Sequence, residues 1–231
     1  MIRQQTKRAL QRMSSNQGIE PIVIASMGRS GSTLVYDAVV EAVIARSPLR
    51  NLFWGHRLTA DQCWNLSNKP LIRGTVYKTH DYPERLVVNG GKAIFLFGST
   101  LDAAKSVHSA KERFGQEWVE EHFVNLRSEG KYEDLFKSDV LNFEKQIHSW
   151  AVTETIPTLC LRFETLWENS ERLSDFLNMK VVLPKERARK VDDYDSEVTS
   201  ALKHIFDPID ERLRSLPDCF ISSHENEAYF K

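Results

Sequence analysis

Four short stretches of the chain are continuously apolar: 21–26, 75–79, 93–97 and 158–163. Each is rich in Val, Ile, Leu or Phe and is bounded by turn or polar residues, which predicts strands. The runs are continuous rather than alternating, as in strands covered on both faces. Between them the apolar period changes to that of a helix. Val35, Val39, Ala42 and Val43 share one face, and so do Leu101, Ala104 and His108, behind a Ser99–Asp102 pair placed like a capping box. Residues 116–151 read as mostly helical with a break near Gly130. Val198, Leu202, Ile205, Ile209 and Leu213 fit one further helix face, which Pro208 is predicted to interrupt or kink. Strands alternating with helices predict a three-layer α/β/α domain around a central, mainly parallel sheet.

Composition adjusts this picture modestly. The 231 residues suit one domain over 1–231, because no linker, repeat or low-complexity tract divides them. Residues 1–19 carry Arg3, Lys7, Arg8 and Arg12, with no acid before Glu20, and read as a basic N-terminal helix or tail. Hydrophobic residues make up 41% and charged residues 27%, an ordinary globular balance. The formal net charge of −1 provides no bulk field for nucleic acid, so any anion site must be built locally. Cys63, Cys160 and Cys219 are odd in number and far apart, against a disulfide framework or a zinc site. Cys160 lies in an apolar run and reads as core. No stretch has the length of a membrane span or the form of a signal peptide, so the expectation is a cytoplasmic protein without integral membrane association.

The chemistry concentrates after the first strand, in Ile22-Val-Ile-Ala-Ser-Met-Gly-Arg-Ser-Gly-Ser-Thr33. Gly28 and Gly31 let the backbone turn sharply and approach a ligand closely. The helix that follows begins with unpaired N–H groups and the positive end of its dipole, which hold anions. Ser30, Ser32 and Thr33 add hydroxyls, and Arg29 adds a planar charged fork. A nucleoside-triphosphatase loop would place Lys after the second Gly. Here Ser32 follows Gly31, and the cation sits two residues earlier. The second strand ends in Tyr77-Lys-Thr-His-Asp-Tyr-Pro83, which puts Lys78 and His80 on the same side of a strand at its carboxyl end, the edge where open parallel sheets bind ligands.

These two elements resemble PAPS-dependent sulfotransferases (PAPS is 3′-phosphoadenosine 5′-phosphosulfate; PAP is its desulfated product). The Ser26–Thr33 loop is similar to the family's 5′-phosphosulfate loop, in the arginine form of its small bacterial and carbohydrate-type members. The Lys78-Thr-His80 element is similar to that of cytosolic sulfotransferases, although two residues separate His80 from Pro83 where those enzymes have one. The resemblance implies a P-loop NTPase-like sulfotransferase fold, PAPS as co-substrate and no metal. It also implies His80 as the base that deprotonates the acceptor, with Lys78 and Arg29 steadying the leaving phosphate. Asp81 and Glu84 stand in reserve as carboxylate bases.

The third strand and its helix resemble the family's 3′-phosphate segment. Ser106 matches the serine and Asp102 the aspartate that opens the helix, but Gly98 stands where the family has arginine. Without that guanidinium a doubly charged phosphate loses its bidentate partner. Lys105, Lys111 and Arg113 are the cations nearby in sequence. Phe163 stands where a tyrosine touches the adenine, while Arg162 and Glu164 read as structural. Arg187, Arg189 and Lys190 lie where the family closes a basic loop on the 3′-phosphate. Trp64, Phe114, Trp118, His122 and Phe123 supply aromatic material for a small-molecule, sugar or lipid acceptor. Two alternatives stay open: an ATP- and magnesium-dependent phosphotransferase, and a non-catalytic nucleotide-binding protein on the same fold. The sequence is silent on oligomeric state.

Overall fold

The computed structural model describes residues 2–13, 18–47, 55–68, 70–87, 90–186 and 196–230. Its order is α1 (Ile2–Met13), β1 (Ile22–Ser26), α2 (Ser32–Ala45), α3 (Gly55–Thr59), β2 (Ala60–Gln62), β3 (Val76–Thr79) and β4 (Lys92–Phe97), then α4 (Thr100–Phe114), α5 (Gln116–Asn125), α6 (Phe143–Val152), β5 (Thr158–Arg162), α7 (Ser170–Leu177), α8 (Ser196–Arg212) and β6 (Cys219–Ile221). The strands form a six-stranded sheet ordered β2-β3-β1-β4-β5-β6. All neighbours pair in parallel except β6, which runs antiparallel to β5.

The sheet is covered on both faces, as its uninterrupted apolar strands require. Alternate residues feed two separate cores. Val23, Ala25, Phe95 and Phe97 pack with Trp150, Phe143 and Phe206 beneath α6 and α8. Ile22, Ile24, Ile94, Leu96 and Leu161 pack on the other face with Val35, Val39 and Val43 of α2 and Leu173 of α7. This is an α/β fold in three layers around a mainly parallel sheet. Strand order reverses about β1, which sits between β3 and β4, and such a reversal opens a crevice at the carboxyl edge of the sheet.

The four expected strands are present to within one residue of their predicted ends. The edge strands β2 and β6 are only three residues long, too short to stand out in the sequence. The basic N-terminal segment is a helix over 2–13, tied down by Lys7 Nζ donating to the Ala60 carbonyl at 2.9 Å and Gln11 Nε2 to the Leu58 carbonyl at 3.2 Å. Pro208 does not interrupt α8, which runs through it from Ser196 to Arg212. Burial of Leu202, Phe206 and Ile209 holds the helix together across the missing N–H. The break expected near Gly130 widens into a non-α connection from 126 to 142 with a 3-10 turn at Tyr132–Phe136. Cys63, Cys160 and Cys219 are buried and form no disulfide with one another. Among the described residues, no helix is long and apolar enough to cross a membrane.

Candidate functional site

The β1–α2 loop has an unusual backbone. Gly28 has φ +93°, Arg29 +56° and Gly31 +77°, so three of four consecutive residues lie in the left-handed region. Runs of this kind aim successive N–H groups into one concavity and make anion-binding nests. Arg29 tolerates the strain as a non-glycine residue, a pattern that collects at functional sites. Gly31 is obligatory on a second ground: a Cβ there would drive into the Phe163 ring. The loop is stapled down by Ser30, whose hydroxyl donates to the Leu96 carbonyl at 2.9 Å, and by Met27 N–H donating to the same carbonyl at 3.3 Å. The Ser30 hydroxyl therefore supports the loop from within, while Gly28 packs against His122 and Leu126 behind the wall.

A cleft of about 480 Å³ opens over this loop, at the carboxyl ends of β1 and β3. Arg29, Gly31, Ser32, Thr33, Lys78, His80, Ser106 and Phe163, all named from sequence, line it together. Lys78 Nζ donates to Thr33 Oγ1 at 2.6 Å, and Arg29 Nε donates to Ser106 Oγ at 2.9 Å. The loop, β3 and α4 thus meet through their polar side chains. Arg187, Arg189 and Lys190 lie outside the described residues.

His80 has a defined tautomer. Its Nδ1 lies 3.0 Å from the Ser26 carbonyl oxygen, which can only accept, so Nδ1 carries the proton and Nε2 the lone pair. Ser26 Oγ lies at the same 3.0 Å. Trp64 stacks on the ring at 5.1 Å between centroids, and Gln146 Nε2 holds the His80 carbonyl at 2.6 Å. Burial, opposed by the hydrogen bond to Ser26 and helped by the charges of Lys78 and Arg29, pushes the imidazole down to about 4. Burial, and to a lesser degree Arg29, also lowers Lys78, while Asp37 opposes.

Sequence reasoning placed His122 only among the aromatic walls. The structure sets it edge-on to His80 at 5.7 Å, stacked on Trp118 at 4.8 Å, with Arg29 over Trp118 at 5.6 Å. Its Nε2 is buried with no hydrogen-bond partner. Burial first, and then His80, Arg29 and Lys78, push it down to about 3. The i, i+4 spacing of Trp118 and His122 was the available signal. Glu121 and Asn125 also line the cleft and carried none.

The reserve carboxylates do not reach the cleft. Asp81 is fully buried and bound by Arg127 at 3.1 Å and Arg85 at 3.2 Å, and it accepts the Leu66 N–H at 2.9 Å. Glu84 lies in the 3-10 turn at Pro83–Arg85 and does not line the cleft. Among the described residues, no group of three or more His, Cys, Asp or Glu could hold a metal ion.

No family model and no curated protein matches the chain. Among solved structures, a mouse sulfotransferase complexed with PAP is similar, at 18% identity and a TM-score of 0.34, over 84% of this chain and 67% of that one.

Proposed function

We propose that the protein is a sulfotransferase that moves a sulfuryl group from a nucleoside 5′-phosphosulfate to a hydroxyl or amine. In the family that the sequence resembles, the donor is PAPS, and the loop, Arg29, Thr33 and Lys78 support a reading in which its phosphosulfate half binds in this cleft. One observation carries the reading. The left-handed loop, Arg29, Thr33 and Lys78 converge on one cleft with an imidazole whose tautomer leaves Nε2 open.

The chemistry follows from that arrangement. The loop's N–H groups and the start of α2 bind the 5′-phosphosulfate oxygens. The acceptor O–H or N–H faces His80 Nε2, which takes its proton as the acceptor–sulfur bond forms. The bond from sulfur to the bridging oxygen breaks, and the electron pair stays on the nucleotide phosphate. Lys78 and Arg29 stabilise that growing charge. Because burial holds His80 neutral down to about pH 4, the base is ready throughout the neutral range. Ser32 after Gly31, where a triphosphatase loop has Lys, favours phosphosulfate over triphosphate.

Release of labelled sulfuryl from PAPS and from adenosine 5′-phosphosulfate tests this reading. The reaction is run in EDTA against phenol, sugar and amine acceptors, with water as the background acceptor. Wild type is expected to turn over at least one donor. His80→Ala and Lys78→Ala should each lose about 100-fold or more in rate while still binding nucleotide. Full activity in His80→Ala would overturn the base assignment. A requirement for magnesium and ATP would overturn the reaction class.

A further inference from the structure

Helix α5 turns one face to the cleft. Trp118, Glu121, His122 and Asn125 follow one another at i, i+3, i+4 and i+7, and all four line it. Neighbouring groups fix where this face stands. The His122 ring lies 5.7 Å from the His80 ring and 3.4 Å from where a Cβ would stand on Gly28 of the β1–α2 loop. The Arg29 guanidinium rests over Trp118 at 5.6 Å. A small molecule that brings a hydroxyl to His80 therefore meets α5 as a wall, and a cleft of about 480 Å³ has room for one.

The charges of the cleft are unevenly engaged. Lys78 is bonded to Thr33 and Arg29 to Ser106. Among the described residues, Glu121 is the one carboxylate that lines the cleft, and it has no hydrogen-bond or ion-pair partner among them. An ionised carboxylate only accepts, and one that its own chain leaves unpaired is complementary to a cation from outside. The wall beside it has the same preference. Trp118 already holds the guanidinium of Arg29, and an indole face is the best aromatic partner for an ammonium group. Asn125, one turn beyond Glu121, adds an amide that can donate and accept.

We propose that the acceptor is a hydroxylated amine, whose ammonium group pairs with Glu121 while its hydroxyl faces His80 Nε2. This rests on the sulfotransferase reading and names the acceptor class of the same site. The transfer itself balances as before: the acceptor oxygen bonds to sulfur, its proton passes to His80, and the ammonium keeps its protons. Glu121 is a specificity-determining residue that favours cationic over neutral and anionic acceptors.

Transfer of labelled sulfuryl from PAPS or adenosine 5′-phosphosulfate to a charge series tests this. Tyramine, 4-ethylphenol and 4-hydroxyphenylacetate share one phenol and carry a cation, no charge and an anion in turn. Glucosamine and glucose repeat the comparison for a sugar. In wild type the cationic member of each set should lead in kcat/KM by about threefold to fivefold, with 4-hydroxyphenylacetate last. Glu121→Gln should level the series and Glu121→Lys should reverse it. Both changes should fall in KM rather than kcat, because Glu121 meets the acceptor away from the transferred group. A neutral or anionic member in the lead, or a series that Glu121→Lys leaves in its original order, would overturn the inference while the sulfotransferase reading stands. Transfer to none of these acceptors would also overturn it, and if no sulfuryl is released to water either, the reading beneath it falls as well.

Discussion

His80 and Asp81 are consecutive, yet their side chains go to different places. The imidazole lines the cleft, whereas the carboxylate turns inward and binds Arg127 through both of its oxygens, at 3.2 and 3.1 Å. Arg127 in turn donates to the Trp64 carbonyl at 2.8 Å, and Trp64 stacks on His80. Asp81 thus acts on the His80 ring through the wall that holds it. Removing a buried carboxylate strands its partners and the Leu66 N–H, although both arginines keep about a third of their side chains in water and soften the loss. We expect Asp81→Asn to destabilise the fold by about 2–3 kcal/mol in urea titrations. A loss below about 0.5 kcal/mol, the size of a surface substitution, would contradict the network.

At the level of elements, two helices far apart in sequence are locked together by one side chain. Asp210 of α8 accepts from Ser99 Oγ at 2.7 Å, Thr100 Oγ1 at 2.7 Å and Thr100 N–H at 2.6 Å, and so caps α4 from outside. The Ser99–Asp102 pair forms half of the expected box: Asp102 N–H reaches Ser99 Oγ, but the Ser99 N–H goes to Glu164. Asp210→Ala removes several charge-assisted bonds to a helix start and should cost about 2–3 kcal/mol. Hydrogen exchange localises the effect: the first turn of α4 should lose protection while β1 and β3 keep theirs. Uniform loss across the sheet would contradict the local role.

Across the whole molecule, the buried imidazoles set a pH dependence. His80 and His122 are held neutral, at about 4 and about 3, against about 6.5 in an unfolded chain. Below about pH 6.5 the unfolded state binds protons that the native state refuses, so stability falls as pH drops from there toward 4 and 3. Two such groups give a slope approaching about 2.7 kcal/mol per pH unit in the middle of that window. Asp139, whose carboxyl burial raises, opposes the trend at the acid end by favouring the protonated native state. Denaturant midpoints between pH 4 and 7 should show the slope, and His122→Phe should remove about half of it. An unchanged slope in that variant would exclude His122 as a source.

The β1–α2 loop, the Lys78/His80 pair and four strands were legible because each is coded locally. Strand burial shows as a run of apolar residues, a sharp strand-to-helix loop as glycines before a helix start, and a side pair as alternation along one strand. What joins distant segments was not legible. No local pattern tells that His122, stacked on Trp118, meets the His80 ring, that Asp81 faces Arg127 rather than the cleft, or that Asp210 caps a helix over a hundred residues earlier. The edge strands stayed hidden because pairing, not composition, makes them strands. Gly98 shows the division plainly. From sequence it is a missing arginine and therefore a gap. Only packing decided that a carboxylate from the end of β5 occupies that gap, because which side chain fills an emptied space depends on the neighbours the sheet brings there.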